Sequence, residues 1–409
     1  MKTQGSVLMS GRLKREYIEF LTNCYQKADR SRRSQLLDEA QRYTGLHRKS
    51  LIRALKPQKK RKSARGAKRI YDEEAIKGLR KIWRKSDQMC SKRLVRAMKD
   101  WLPGSGLTEE VQEKLLQMSA SSIDRYLKPY RAQYRRSRRS GTRPGKLLKE
   151  MIPVKALGNI ASRAGTVDVD TVAHCGGSLL GDFIWSVNIT DEFSGWTESR
   201  GVWGKHAKNV CAAIEEIESE LPFEIAVFNV DNGTEFLNHR LKEYLSSHKE
   251  GGPKHRKKFV MTRSRSYHKN DNAHVEQKNW THIRQLFGYE RFDFKELLSL
   301  MNDVYRVNSL LLNYFHPQMK LKSKVRVGKK YKKKYDEPKT PYERLLNDSS
   351  LPEEDKSKLR ETKTKLSPWK LTDQREELLA QFFKLKKKLE SERDRDSAIP
   401  TSDLGNTIQ

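Results

Sequence analysis

The 409-residue chain contains no unbroken apolar run of the ~18 residues a membrane-crossing helix needs, and its mean hydropathy is -0.87. A membrane-spanning helix is excluded, and no membrane partner is expected. The opening stretch MKTQGSVLMSGRLKREY has no apolar leader core, so a soluble, cytoplasmic protein is expected. Cysteine is scarce: Cys24, Cys90, Cys175 and Cys211 stand alone, with no CxxC pair and no Cys/His spacing of the zinc-finger kind. Neither a disulfide framework nor a zinc module fits, and the four read as reduced, mostly packing thiols. His174 adjoins Cys175, but neighbours on a strand point to opposite faces and do not readily share a metal. Acid is in deficit too: 52 Asp and Glu stand against 84 Lys and Arg.

That imbalance gives a formal net charge of +32 and a pI near 9.9. A polyanion is the natural partner, by counter-charge and by counterion release, and nucleic acid is the one expected. Length argues for two or three domains, because single cores stop growing well short of this size.

The first 57 residues carry a helical pattern. In LLDEAQRYTGLHRKSLIRAL, the residues Leu37, Ala40, Leu46, Leu51, Ile52 and Leu55 recur at helical spacing around a Tyr43-Thr44-Gly45 break. Two short helices joined through a glycine fit a helix-turn-helix, whose second helix offers His47, Arg48, Lys49 and Arg53 to a major groove. A small helical hairpin with a solvated basic face has the same pattern; the charge favours DNA. Residues 58–70 are a basic linker, too poor in apolar side chains to pack and suited to lie along phosphates. A second helical, helix-turn-helix-like DNA-binding module is expected over 71–134, from the spacing of Ile76, Leu79, Ile82 and Trp83 and from MSASSIDRYLKPYR, where Ser119 or Ser121 would cap a basic helix. Residues 135–163 open on RRSRRSGTR and form another basic linker, broken at Pro144-Gly145.

From about Gly165 the texture changes to short β-branched and aromatic runs. GTVDVDTVA, DFIWSVNITD and GWTESRGVW read as three strands, the last two joined by a turn over Asp191 to Gly195. Lys208 to Leu221 reads as a helix, FEIAVFNVD as a buried strand, Glu235 to His248 as a helix, FVMTRS as a fifth strand and Asn272 to Phe287 as a helix. This order predicts, over 164–315, an α/β domain with a mixed five-stranded sheet covered by helices. Residues 316–389 form a small basic C-terminal region, extended through KLKSKVRVGKKYKKKYD, then helical from TPYERLL, with Thr340 as cap and Pro341 at the first position, and again over Thr372 to Leu389. Residues 390–409 read as a polar, disordered tail.

Three acids fall where this order of elements converges: one on the first strand, Asp231 at the carboxyl end of the fourth, and Glu276 on the helix after the fifth. Asp168 and Asp170 share a strand face, and by pattern either serves. An acid in a strand otherwise written in Val is costly to bury unless it is paired or metal-bound. Asp231 in FNVDNGTEF also fits an ordinary Asp-Asn-Gly turn. Asn272, Glu276 and Asn279 lie on one helical face, with Val275, Ile283 and Leu286 on the apolar one, although Glu276 alone would suit a solvated face.

Together, VDVDTVAHCG, VDNGTEF and NDNAHVEQKN resemble the three signature segments of the retroviral-integrase-like catalytic core of insertion-sequence transposases. The likeness covers roughly 164–315; the helical modules before it are similar to those of bacterial members, and NYFHPQMKLKSK resembles the segment that closes the core. The family pattern, a first acid followed within a few residues by Thr and then Gly, favours Asp170 over Asp168. The resemblance implies an RNase H-like fold and Asp-Asp-Glu chemistry at Asp170, Asp231 and Glu276, with Asp168 and Asn272 as accessory candidates. Two departures stand out. The forty-five positions from Asp231 to Glu276 exceed the usual spacing, with SSHKEGGPKHRKK as the insertion, and the zinc module of retroviral integrases is absent.

Such chemistry needs two Mg²⁺ or Mn²⁺ ions on oxygen ligands and no compulsory side-chain base. Lys278 and Asn279, beside Glu276, join Arg48, Lys49 and Arg53 as candidate DNA contacts, while His268 and His274 read as ordinary exposed residues. The resemblance implies double-stranded DNA, both element ends and target, as partner, a homodimer or tetramer assembled on it, and a nucleoid-associated protein. A regulator that kept the fold and lost catalysis would lack an acid, and none is missing. An RNase H-type nuclease would have no need of two upstream helical modules.

Overall fold

The computed structural model describes residues 9–56, 70–133, 161–230, 260–263, 278–328 and 330–397. The chain divides into two compact units, Met1–Ile70 and Tyr71–Gln409.

The first unit is three helices, α1 (Gly11–Lys27), α2 (Arg30–Thr44) and α3 (Arg48–Leu55). Asp29 caps α2 by accepting from Arg32 N at 2.7 Å, and the helix stops at Gly45, whose φ of 68° is left-handed. The ring of His47 then caps α3, accepting from Lys49 N at 3.2 Å. Leu21, Leu36, Leu37, Ala40, Leu51 and Leu55 close the core. The break at Gly45 lies where the sequence put it.

In the second unit, α4 (Glu73–Lys85), α5 (Ser91–Trp101), α6 (Glu109–Leu116) and α7 (Ala120–Gln133) enclose Leu79, Ile82, Leu94, Trp101 and Leu127. Ser119 accepts from Ser122 N at 3.2 Å, so of the two candidate caps Ser119 serves. This bundle is continuous with the rest of the unit. Trp369 Nε1 donates to Trp101 O at 2.9 Å, and Arg375 forks onto Asp87 at 2.7 and 2.9 Å.

The sheet has the order β3-β2-β1-β4-β5. The strands are β1 (Thr166–Ala173), β2 (Ile184–Asp191), β3 (Thr197–Trp203), β4 (Val227–Val230) and β5 (Val260–Arg263). β1, β2 and β3 are antiparallel neighbours, while β4 and β5 run parallel to β1, so the sheet is mixed. The β2–β3 turn is written in its residues: the Asp191 carboxylate accepts from Ser194 N at 2.7 Å, Ser194 Oγ at 2.6 Å and Gly165 N at 2.9 Å. One sheet face, Val167, Val169, Val187 and Ile189, packs in a cluster with Val210, Ile214 and Ile217 of α8 (Ala207–Glu220). The opposite face is largely polar and carries the candidate site.

Across that face run a π-helical turn, Asn279–Arg284, continued by Gln285–Phe287, and α9 (Leu297–Phe315). The predicted helix Glu235 to His248 and the first part of the predicted helix Asn272 to Phe287 lie outside the described residues. Beyond α9, the Lys-rich stretch expected only to be extended pairs with itself as β6 (Leu321–Val327) and β7 (Lys330–Tyr335). A capping box at Thr340 and Glu343 starts α10 (Pro341–Leu346), followed by α11 (Glu353–Lys365) and α12 (Pro368–Ser397). That last helix runs past Glu390, where polar composition suggested a tail, because it has a buried side: Phe382 is inaccessible and meets Phe287 at 5.0 Å and Phe292 at 5.1 Å. All four cysteines are free, and Cys24 and Cys90 are exposed rather than packed. Among the described residues no helix is long and apolar enough to cross a membrane.

Candidate active site

The strand register decides which side chains stand together. Asp168 pairs with Thr190, which pairs with Thr197; Asp170 pairs with Asn188, which pairs with Ser199. With period two these rows share one face, a polar ladder across three strands. It is hydrogen-bonded along its length. The Thr190 and Thr197 hydroxyls hydrogen-bond to each other at 3.1 Å, Ser199 Oγ donates to Asn188 Oδ1 at 2.9 Å, and Asn188 Nδ2 donates to Asn279 Oδ1 at 2.8 Å. Asn279 Nδ2 in turn donates to Asp170 Oδ2 at 2.6 Å, while Asp170 Oδ1 accepts from Thr171 N at 2.8 Å. The π-helical turn is thereby fastened to the middle of the sheet at Asp170.

The two acids of the first strand have different surroundings. Asp168 is 1% exposed and accepts from Asn229 Nδ2 at 2.8 Å. Burial first, and then the charge of nearby Glu192, push its carboxyl up to about 8, so it is mostly a neutral acid at pH 7. Asp170 is only half-buried and lies beneath the π-helical turn. An acid that must stay ionised to hold a cation is better served by the second environment.

Lys278 and Asn279, read from the sequence as DNA contacts, both turn inward. Lys278 Nζ donates to Gly195 O and to Gln318 Oε1, each at 2.8 Å. Burial of the ammonium, reinforced by Lys320, Arg93 and Arg344 nearby, pulls its pKa well below the usual lysine value. The reason is local: Gly195, with φ of 78°, has no side chain, and a Cβ there would stand 2.6 Å from Gln318 Oε1. In the first unit Arg48 folds back onto Asp38 and onto Ser34 Oγ, the latter at 2.7 Å, whereas Lys49 and Arg53 remain exposed.

Asp231, Glu276 and Asn272 lie outside the described residues, as do His268 and His274. Among the described residues no three His, Cys, Asp or Glu side chains gather as a metal site. Asn188, Ser199, Thr190 and Asn229 are site neighbours that reading the sequence for acids missed. Their signal was present as the period-two run Ser186, Asn188, Thr190 and its partner Thr197, Ser199, Gly201, polar or small at every second position. Beneath the ladder, Ser186 Oγ meets His174 Nε2 at 2.8 Å and Tyr305 Oη at 2.6 Å, so His174 is a buried structural group.

With the geometry in place, comparison adds a relative. The chain is 34% identical over 337 residues to the Sinorhizobium fredii (strain NBRC 101917 / NGR234) protein whose name reads "Uncharacterized protein y4rM", a match spanning 80% of this chain and 94% of that protein. This chain belongs to the y4rM family. That kinship fixes descent and leaves chemistry to the residues. No family model matches the chain. Among solved structures, the catalytic core domain of BIV integrase aligns with 45% of the y4rM-family chain and 94% of its own, at 16% identity and a TM-score of 0.27. A likeness of that size carries no weight for the site.

Proposed function

We propose that this y4rM-family protein is a DNA strand transferase, the transposase of an insertion sequence, acting through Asp170, Asp231 and Glu276 on an RNase H-like core. One observation carries the reading. Asn279, three residues after Glu276 in the sequence, grips Asp170 at 2.6 Å, so the segment bearing the third acid is tied directly to the first. The second acid is adjacent in sequence: the parallel register of β1 and β4 ends on Val169 opposite Val230, and Asp231 is the next residue of the chain. Sheet order, with three antiparallel strands and two parallel to the first, supports the RNase H-like reading.

The groups that the described residues set around Asp170, namely its own carboxylate, the Asn188 and Asn279 amides and the Ser199 hydroxyl, are hard oxygen and nitrogen groups. This chemistry fits Mg²⁺ or Mn²⁺ rather than zinc. Asp170, Asp231 and Glu276 would hold two such ions, which when bound supply Lewis-acid activation of the attacking and leaving oxygens. Asn279 is a positioning residue, because its amide holds the Asp170 carboxylate in one orientation and is itself held by Asn188. Lys49 and Arg53 of the first unit are the cations left to contact element-end DNA, and two ends brought together call for a dimer or tetramer.

The test supplies a pre-cut end oligonucleotide, taken from inverted repeats flanking the gene, together with plasmid and Mg²⁺ or Mn²⁺. Covalent attachment is expected, abolished by Asp170→Asn, Asp231→Asn or Glu276→Gln and retained by Asp168→Asn, whose position is buried and bonded to Asn229. Shortening of the oligonucleotide without attachment would make the protein a nuclease, and a mobility shift alone would make it a regulator; either result sinks the proposal.

A further inference from the structure

The β6–β7 ribbon is the part of the described structure least explained by folding. Between Leu321 and Tyr335 the sequence has eight Lys and Arg and no acid. The register sets Lys324 directly opposite Lys333, and every residue from Lys330 to Tyr335 is exposed. Like charges opposed across a ladder destabilise it, and a two-stranded hairpin with neither face covered is marginal in water. A ribbon that holds together under this repulsion is suited to an anionic partner.

Its two faces differ. The pairs Ser323–Lys334, Val325–Lys332 and Val327–Lys330 share one face, which sets a row of three lysines beside a row of small and aliphatic residues. Val325 and Val327 are 57% and 60% exposed, although nothing about the hairpin requires aliphatic side chains in water. Alternate residues on a strand are about 6.8 Å apart, and two nucleotide steps of one DNA strand advance along the axis by about the same distance. At that spacing the lysine row suits the run of phosphates along one strand, while the valine row faces what lies between phosphate rows.

The base of the ribbon is built in rather than loosely tethered. Lys320 N donates to Asp336 Oδ1 at 2.6 Å, Asp336 N to Lys320 O at 2.9 Å, and Arg344 Nη2 bridges Asp336 Oδ2 at 2.7 Å and Gln318 O at 3.1 Å. The Lys320 ammonium also reaches the carbonyls of Glu192 and Phe193 in the β2–β3 turn. Gln318 is itself bonded to Lys278, the neighbour of Asn279. Whatever the ribbon holds is thus indexed to the strand carrying Asp170.

We propose that the β6–β7 ribbon is a duplex-DNA docking element, seated in the major groove with Val325 and Val327 inward and Lys330, Lys332 and Lys334 along the phosphates of one strand. The width of that groove admits a two-stranded ribbon, whereas the deep, narrow major groove of duplex RNA does not. The partner is the DNA of the proposed function, but the ribbon's role stands apart from strand transfer.

The experiment measures binding of the full chain to a 30-base-pair DNA duplex of arbitrary sequence, without divalent metal, over a salt series. Replacing Lys330, Lys332 and Lys334 with Thr, a good strand former, should weaken binding at least tenfold near 0.15 M salt and lower the log–log salt slope by roughly 0.9 per lost phosphate contact. The triple Lys→Arg variant should keep both. Val325→Ser with Val327→Ser should weaken binding with the slope unchanged, since no charge is removed. Wild-type affinity and slope in the Thr variant overturn the proposal, as does a loss seen on an RNA duplex and not on DNA. If strand transfer fails in the wild type while the ribbon-dependent slope is present, the enzyme reading falls and the ribbon stands; absence of any DNA binding overturns both.

Discussion

Asn279 Nδ2 lies 2.6 Å from Asp170 Oδ2, so a π-helical turn is fastened to the centre of β1 by one amide. The same amide's oxygen accepts from Asn188 Nδ2 at 2.8 Å, which fixes the flip state and leaves the side chain little freedom. π-Turns are rare and are frequently found at functional sites, and this one begins at the residue that grips the acid. A carboxylate held this way is aimed before any ligand arrives.

Asn279→Ala should therefore lower strand transfer without unfolding the protein. Loss of a group that orients a metal ligand typically costs about 10–100-fold in activity or metal affinity. The deficit should narrow as Mn²⁺ is raised, because the acid remains and only its orientation is lost. Asn279→Asp should be worse than Ala, since it sets a second negative charge against Asp170. Equal metal dependence in wild type and Asn279→Ala, read from joining rates across a Mn²⁺ titration, would show that the amide orients nothing.

On the opposite sheet face, Arg200 is inaccessible and surrounded by acids: Glu216 Oε1 at 3.0 Å, Glu198 Oε2 at 3.8 Å, and Glu220 in direct contact. Even beside this cation, burial holds the Glu198 carboxyl up at about 7. Removing one partner of a buried pair leaves the other uncompensated, at a typical cost of about 3–5 kcal/mol. Arg200→Met should lower stability in urea unfolding by that order, and Glu198→Gln added to it should recover part of the loss. Strict additivity of the two changes would mean that they are not coupled.

Local signals were legible in the sequence and non-local ones were not. The strands β1 to β3, the turn at Asp191 to Gly195, the Ser119 cap and the Thr340 cap all lie where residue type and spacing put them, since each is decided within a few residues. The choice of Asp170 over Asp168 came only from the family pattern; alternation alone could not separate the two, because their different surroundings are set by Asn229 on β4 and Asn279 after β5. The inward turn of Lys278 was hidden for the same reason, its acceptors being Gly195 and Gln318, 83 and 40 positions away. The β6–β7 pairing was masked by lysine, a poor strand former, and the docking of Trp369 on Trp101 spans 268 positions.

The last prediction concerns acid. His174, His282 and His316 are 0%, 2% and 3% exposed. Burial, the dominant cause for each, holds His174 and His316 down at about 3 and His282 well below the usual value; Arg284 adds to it on the first and Lys278 and His316 on the second, while on the third burial outweighs the opposing Asp87, with Arg93 and Arg375 adding to burial. A histidine whose folded pKa is depressed contributes stability that is complete above about pH 6.5. That contribution is lost as pH falls toward 3, by roughly 1.4 kcal/mol per pH unit per residue, because the unfolded chain takes up the proton first. Asp168 and Glu198, held up at about 8 and about 7, act in the opposite sense: the unfolded chain loses their protons first, so their contribution grows as pH falls toward about 4. Total stability therefore mixes the two signs, and a difference between proteins isolates the histidine. The advantage of wild type over His174→Gln in urea unfolding should be constant above pH 7 and shrink by roughly 1.4 kcal/mol per unit from pH 6.5 to 4.5. His316→Gln should trace the same descent, since both rings reach their folded pKa only near 3. Parallel stability curves for wild type and both variants across that range would show that these rings are not held neutral by burial.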